Sequence, residues 1–119
     1  MRKTSPKPQS LSKGLEMGNS RAKAVPTLQI DNDRVVVTEW RFAPGAETGW
    51  HRHAHDYVVV PQTTGKLLLE EHGGNREAQL TAGVSYFRNV GVEHNVVNAN
   101  DFEFVFVEVE IRKTVTSDK

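Results

Sequence analysis

The chain has 119 residues, of which 37% are hydrophobic and 25% charged, and it contains no cysteine. This length fits a single domain, and the absence of cysteine excludes disulfides, thiolate metal ligands and a cysteine nucleophile. The formal net charge is zero, and no stretch approaches the roughly 20 apolar residues that span a bilayer. We therefore expect a small cytoplasmic protein without a membrane partner.

The charge is distributed unevenly along the chain. Residues 1–24 carry six basic residues and one acidic residue, whereas the remainder carries nine basic and fourteen acidic residues. The first segment also has few large apolar side chains, so it buries too little surface to offset the entropy of ordering. We predict a disordered or loosely attached basic tail over 1–24 and a domain over 25–115. The domain has no basic stripe that could follow a phosphate backbone, so nucleic acid is not expected as a partner.

From Val25 onward the pattern is typical of β-strands separated by turns. The first clear segment, Arg34–Phe42, is rich in β-branched and aromatic residues and ends before Pro44 and Gly45. Further extended segments follow at Trp50–Pro61, Lys66–Glu71, Arg76–Leu80, Val84–Phe87, Val92–Val97 and Phe102–Val115. Gly73 and Gly74 predict a hairpin turn. About eight strands with frequent turns and no helical periodicity indicate an all-β antiparallel sandwich or barrel.

The last segment is apolar on both faces. Phe102, Phe104 and Phe106 alternate with Val105, Val107, Val109 and Ile111. One face is expected in the barrel interior, and the other against a second sheet or another subunit. Because small barrels with apolar outer strands gain by covering them, we predict a homodimer.

Four of the five histidines form the main candidate site. In an extended strand, alternate residues point to the same face, so His51, His53, His55 and Tyr57 would lie along one side. A single strand cannot surround an ion, and the obvious further ligand is His94, about forty residues later. Neutral imidazole binds Zn, Fe, Cu and Ni well, and three protein nitrogens leave coordination positions open. The structural alternative is a run of surface histidines.

Glycines at fixed distances from these histidines favour the metal site. Two patterns occur in order: Gly45, His51, His53 and Gly65, and then Gly83, Asn89, Gly91, His94 and Asn98. They resemble the two cupin motifs, and the resemblance covers roughly residues 34–112. It implies a single-domain cupin, which is a double-stranded β-helix or jelly-roll barrel. It also implies His51, His53 and His94 as metal ligands, for an ion such as Fe, Zn, Ni or Mn.

The chain departs from the cupin motifs at two positions. Asn89 replaces the usual proline, and Tyr57 stands where the first motif has a glutamate ligand. The resemblance therefore implies a three-histidine site, as in cupin thiol dioxygenases. Water or the Tyr57 phenol could complete it, with His55, Asp56 or Glu47 as less favoured candidates.

The resemblance also indicates a function. The segments Thr38–Phe42 and Tyr57–Pro61 are similar to small bacterial cupins named β-alanine degradation proteins. The name of those cupins implies a role in β-alanine or amino-acid catabolism and fixes no reaction, whereas the three-histidine cupin site implies a metal-dependent enzyme of oxygenase or isomerase type that acts on a small carboxylate or thiol. Tyr57 is then a candidate catalytic proton donor, and the arginines near the motifs (Arg41, Arg52 and Arg88) are candidates to hold a substrate carboxylate. The alternative is a non-catalytic module that binds a small molecule or a metal.

Overall fold

The computed structural model describes residues 20–113, which form nine β-strands and no helix. The strands are β1 (Val25–Asp31), β2 (Val35–Phe42), β3 (His51–Arg52), β4 (Asp56–Pro61), β5 (Gly65–Glu70), β6 (Arg76–Leu80), β7 (Tyr86–Arg88), β8 (Glu93–Asn98) and β9 (Phe104–Ile111). The predicted all-β class is confirmed. Within the described range no helix is long and apolar enough to cross a membrane.

The strands form two antiparallel sheets. One sheet has the order β1-β2-β9-β4-β7, and the other has the order β3-β8-β5-β6. Side chains from both sheets meet in one core: Phe42, Tyr57, Val59, Phe104 and Phe106 from the first, and Leu67, Leu69, Leu80 and Val96 from the second. Strand alternation explains this arrangement, because every second residue of β4 and β5 is buried.

The segment predicted as one extended stretch, Trp50–Pro61, is two strands in different sheets. β3 pairs with β8 in the smaller sheet, whereas β4 pairs with β7 and β9 in the larger one. Residues 53–55 make the crossing between sheets. The strand alternation is interrupted there, so His55 does not continue the row that His51 and His53 begin.

β9 lies in the middle of the larger sheet, between β2 and β4. Its phenylalanine face points inward: Phe104 and Phe106 are buried in the core. Glu108 and Glu110 continue the same face of the strand, because they follow at intervals of two residues. Two acidic side chains therefore point toward the barrel interior.

The described end of the predicted tail, residues 20–24, lies against the barrel. Ala24 is buried, and its N–H donates to the Glu47 carbonyl at 2.8 Å. Arg21 pairs with Glu47 at 3.2 Å and with Glu70 at 3.0 Å. The prediction for residues 1–19, and the end of the predicted domain beyond residue 113, lie outside the described residues.

Two motif glycines have a direct structural role. Gly91 has φ +95° in the turn before β8, a backbone conformation that side chains rarely adopt. Gly65 is packed against Asn100, and a Cβ at this position would lie 2.8 Å from the Asn100 Oδ1. The motif residue Asn98 is buried, and its amide donates to three carbonyls, those of Phe42, Ala43 and Phe102.

Candidate metal centre

The rings of His51, His53 and His94 meet at one point. His51 and His94 are direct register partners between β3 and β8, and the turn into β4 brings His53 beside them. The His53 Nε2 lies 3.0 Å from the His51 Nε2 and 3.2 Å from the His94 Nε2. One nitrogen of each ring lies within 4.8 Å of the other two. His53 and His94 are buried, and His51 is half-buried.

These separations fit three ligands of one metal ion. Two ligand atoms that each lie about 2.1 Å from an ion, at right angles to each other, are about 3 Å apart. The two Nε2 separations that involve His53 are close to this value. Three imidazole nitrogens suit Zn, Fe, Cu and Ni, and they would leave the remaining coordination positions open.

The protonation of the rings is also suited to metal binding. Burial, and to a smaller extent the neighbouring His51 and His94 rings, lower the pKa of His53 to about 3. The pKa of His94 falls to about 4, mainly through burial. Both rings are therefore neutral at pH 7. The Nδ1 of His51 lies 2.8 Å from the Gly49 carbonyl, which can only accept a hydrogen bond. In the neutral ring the proton of His51 is thus on Nδ1, which leaves the lone pair of Nε2 free for an ion.

A polar network holds the loop before His51 in place. The Asn95 side-chain oxygen accepts from the Gly49 N–H at 2.9 Å, and its amide donates to Glu47 at 2.8 Å and to Glu70 at 2.9 Å. The Arg21 guanidinium joins the same two carboxylates. These contacts lower the pKa of Glu47 and Glu70, mainly through hydrogen bonds from Asn95 and Arg21 respectively. Glu47 is therefore held by Asn95 and Arg21, and it belongs to neither group of side chains that could hold an ion.

Tyr57 lies beside the triad with its ring stacked on His53. The ring centroids are 3.8 Å apart and the planes are 17° from parallel. The Tyr57 hydroxyl is buried, and no hydrogen-bond partner for it is found among the described residues. Burial raises the pKa of the phenol above its ordinary value, so at neutral pH the group is a proton donor.

Two carboxylates near the triad were missed in the sequence analysis. Glu108 Oε2 lies 3.8 Å from the His53 Nε2, and Glu110 Oε2 lies 3.7 Å from the His53 Nδ1. Glu108, Glu110 and His53 form a second group that could hold an ion. Burial raises the pKa of Glu108 to about 8, and repulsion from Glu110 adds to the rise. Because His53 is neutral, its contacts with these carboxyl groups are not ion pairs. The alternation of β9 was the signal that could have found them.

The other candidates lie outside the triad. His55 is half-buried and belongs to neither group of possible ligands. The Asp56 carboxylate accepts from the Val90 N–H at 2.8 Å. Trp50 is 49% exposed and its ring contacts His72, which in turn binds Glu93 at 2.7 Å. None of these residues brings a donor atom to the three converging nitrogens.

A cavity of about 20 Å³, enough for about one water molecule, is lined by His94 and Glu108 and lies between the two sheets. Its remaining lining is mostly apolar and aromatic: Tyr57, Val59, Leu67, Leu69, Tyr86, Val96 and Phe106, together with Arg88. Small-molecule sites commonly have such an apolar wall with a few polar groups. The cavity therefore has room for one water-sized group beside the triad.

The fold and this histidine arrangement define a class of proteins. The Cupin domain family matches residues 38–110, which is more than half of the chain. The chain therefore belongs to the cupin family, and the resemblance seen in the two motifs is confirmed.

The chain is similar to particular cupins over almost the whole described region. It is 66% identical over 94 residues to "Beta-alanine degradation protein BauB" of Pseudomonas aeruginosa, an alignment that covers 79% of this chain and 99% of that protein. A solved cupin domain from Bordetella pertussis has 67% identity and a TM-score of 0.79, with 81% of this chain and 100% of that chain covered. A cupin superfamily protein from Desulfitobacterium hafniense shares the fold alone, at 11% identity and a TM-score of 0.61, with 82% and 84% covered.

Proposed function

We propose that this chain is a metal-binding small cupin and a metal-dependent enzyme of oxygenase or isomerase type. Its substrate would be a small carboxylate or thiol from β-alanine or amino-acid catabolism. The observation that carries the proposal is the convergence of the His51, His53 and His94 nitrogens beside a cavity. The name of the Pseudomonas aeruginosa relative supports the metabolic context.

The three histidines would hold the ion, which we expect to be Fe, Zn, Ni or Mn. A divalent metal in such a site polarises a bound oxygen or carboxylate group and, for a redox-active ion, supports dioxygen chemistry. Around it, the chain supplies two protonatable groups. The Tyr57 phenol can donate a proton, and Glu108 lies beside His53, where it can exchange hydrogen bonds with a ligand at an open position.

Metal analysis tests the proposal first. Untagged wild-type protein is expected to carry one transition-metal ion per chain, and His53→Ala is expected to retain less than a tenth of it, since it removes the nitrogen that lies 3.0 and 3.2 Å from the other two. His55→Ala is the matched control, because it removes a neighbouring imidazole that lies outside the triad. Equal loss in both variants, or full retention in His53→Ala, would contradict the assignment.

Turnover separates the enzyme from a non-catalytic binding module. The metal-loaded wild type is expected to consume oxygen with cysteine or 3-mercaptopropionate, or to convert small keto acids, and His53→Ala is expected to do neither. A fully metal-loaded protein that binds these compounds without changing them would favour the binding module.

We also propose that the chain forms a homodimer. An apolar row crosses the outer face of the larger sheet, where successive register partners are Ile30, Val37, Val109, Val58 and Phe87. Ile30 and Phe87 at its ends are about half exposed, and a second copy would cover them. Light scattering at micromolar concentration is expected to give the mass of two chains, and a monomeric mass would contradict this. The cytoplasmic location stays a prediction.

A further inference from the structure

Residues 21–24 lie along the loop that precedes the metal centre, and we call them the strap. The Ala24 N–H donates to the Glu47 carbonyl at 2.8 Å, and the Glu47 N–H donates back to the strap at 2.9 Å. On the other side of the loop, the Thr48 N–H donates to the Val96 carbonyl of β8 at 2.9 Å. The backbone of the loop is therefore hydrogen-bonded on both sides, to the strap and to β8.

Asn95 joins the loop to the strap from behind the histidines. It follows His94 in β8, and neighbouring residues of a strand point to opposite faces. Its side chain therefore lies on the outer face of the smaller sheet, where it is only 6% exposed. Both hydrogens of its amide are donated to carboxylates, those of Glu47 at 2.8 Å and Glu70 at 2.9 Å. Because a carboxylate can only accept, the amide has one orientation, with its oxygen on the Gly49 N–H at 2.9 Å.

Gly49 transmits this constraint to His51. The Gly49 carbonyl accepts from the His51 Nδ1 at 2.8 Å, and the Thr48 hydroxyl lies 3.3 Å from the same nitrogen. Gly49 has φ +92°, a backbone conformation that other residues rarely adopt. A shift of Gly49 away from Asn95 would move this carbonyl, and with it the imidazole whose Nε2 lies 3.0 Å from that of His53. The orientation of one metal-binding ring thus depends on the Asn95 amide.

Arg21 completes the network from the strap. Its guanidinium lies 3.2 Å from a Glu47 oxygen and 3.0 Å from a Glu70 oxygen. These two carboxylates share the single amide of Asn95, so they would repel each other without a cation between them. Lys23 adds a longer contact, 3.6 Å from Glu47. The positive charge of the strap therefore keeps both acceptors of the Asn95 amide in place.

We propose that Arg21 and Asn95 are positioning residues of the metal centre, which hold the His51 ring in the orientation that binds the ion. The inference rests on the metal site of the proposed function. It gives the strap a role at that site, although Arg21 and Asn95 lie outside the three converging nitrogens. Metal affinity and attachment of the strap are then coupled, and such coupling is reciprocal: a bound ion also holds the strap more firmly.

Zinc affinity, measured by competition with a chelator, tests this role. Arg21→Gln is expected to weaken zinc binding about tenfold, and Asn95→Ala, which also removes the acceptor of the loop N–H, by about tenfold to a hundredfold. The Arg21 side chain is 34% exposed, so its replacement leaves the core intact. Arg21→Lys, which keeps the charge and loses the bidentate contact, is expected to fall between wild type and Arg21→Gln.

Arg41→Gln is the matched control. Arg41 also joins two carboxylates, those of Glu103 at 2.8 Å and Glu39 at 3.3 Å. It lies between Trp40 and Phe42, which face the core, so its own side chain is on the outer face of the larger sheet. Zinc affinity in this variant is expected to stay within about twofold of wild type.

Hydrogen exchange separates positioning from a merely structural role. Zinc should slow exchange at the Ala24 N–H of the strap about tenfold in wild type, because the coupling is reciprocal, and less in Arg21→Gln. Exchange at the Asn32 N–H, which donates to a carbonyl in the β1–β2 turn at 3.1 Å, should not change with zinc. If zinc left the Ala24 N–H unchanged, or slowed both amides equally, the coupling would be refuted.

The histidine tautomer provides a readout without metal. At about pH 8.5, above the ordinary pKa of histidine, nitrogen NMR of the metal-free wild type should show His51 with its proton on Nδ1. Arg21→Gln and Asn95→Ala should show a mixture of the two tautomers. Unchanged zinc affinity in Arg21→Gln, or an equal loss in Arg41→Gln, would overturn the proposal. If the wild type binds no zinc, the metal site is wrong, and a single His51 tautomer in all three proteins would then overturn the positioning role as well.

Discussion

The two ends of the barrel interior differ sharply, although the same face of β9 lines both. At one end Phe104 and Phe106 are buried among the side chains of the core. Two and four residues further along, Glu108 and Glu110 flank His53. The strand geometry is the same in both halves, so the difference lies in the side chains alone.

The aromatic end stabilises the fold, whereas the buried polar groups at the other end destabilise it. The aromatic end removes apolar surface from water, which stabilises the fold. At the polar end, burial keeps His53 and His94 neutral and raises the pKa of Glu108, and desolvated polar groups of this kind are costly unless they are paired. Perturbed groups of this kind are often found at functional sites.

The largest expected effect on stability comes from the aromatic end. Phe104→Ala should lower the free energy of unfolding by about 3–5 kcal/mol, because it opens a cavity in a fully buried part of the core. Urea denaturation of the metal-free protein measures this. Phe102→Ala is the matched control, since Phe102 is 45% exposed, and it should change stability by less than about 1 kcal/mol. If Phe102→Ala and Phe104→Ala lowered the free energy of unfolding by similar amounts, the division between the two ends would be contradicted.

At the polar end we expect a substitution that raises the free energy of unfolding, by an amount smaller than the loss in Phe104→Ala. The folded-state pKa of Glu108 is about 8, above its ordinary value of 4.5, so between these values the folded state holds more protons than the unfolded state. The free energy of unfolding contributed by this group therefore falls as the pH rises through that interval. Glu108→Gln cannot ionise. In metal-free protein it should become more stable than wild type as the pH rises, by on the order of 1–3 kcal/mol at pH 9.

Denaturation curves from pH 5 to pH 9 measure this difference. The lowered pKa values of His53 and His94 act with the opposite sign at lower pH, but both proteins contain these residues, so their contribution largely cancels. Glu77→Gln removes an exposed carboxylate of β6 and is the matched control; a pH dependence as steep as that of Glu108→Gln would contradict the role of burial. A flat difference for Glu108→Gln would mean that Glu108 ionises freely in the folded protein.

The smallest effect on stability is expected where the two ends meet, at Tyr57. Tyr57→Phe keeps the ring that stacks on His53 and removes a buried hydroxyl without a partner among the described residues. Metal content should be unchanged, and the free energy of unfolding should change by less than about 1 kcal/mol. If the phenol donates a proton in the reaction, turnover should fall about tenfold or more. Unchanged turnover would remove Tyr57 from the catalytic residues.

Most of the fold could be predicted because strand alternation and turn residues are local signals. The hairpin at Gly73 and Gly74 and the division of β9 into two apolar faces both follow from nearest neighbours along the chain, but which of the two faces points inward does not. The crossing at residues 53–55 could not be predicted. It depends on β3 pairing with β8 while β4 pairs with β9, and these partners are distant in sequence.

The same limit applies to the candidate site. The spacing of His51 and His53 showed that they share a face, and the glycine motifs pointed to His94. The alternation of β9 could have shown that Glu108 shares the face of Phe106, and Arg88 was a candidate because it lies near the second motif, but no local signal placed either side chain relative to the histidines. Their positions depend on the register of β9 and β7 against β4, which sets which side chains face one another across the interior.

The amino-acid sequence by itself determined the all-β class, the two histidine motifs and the alternation that divides each strand into an inner and an outer face. Only the tertiary structure decided which inner faces meet: three imidazoles at one point, with Tyr57 and Glu108 beside them and Arg88 across the cavity. The physical reason is that strand alternation depends on the local backbone, whereas the meeting of side chains depends on hydrogen-bonded register between strands that the chain separates by tens of residues.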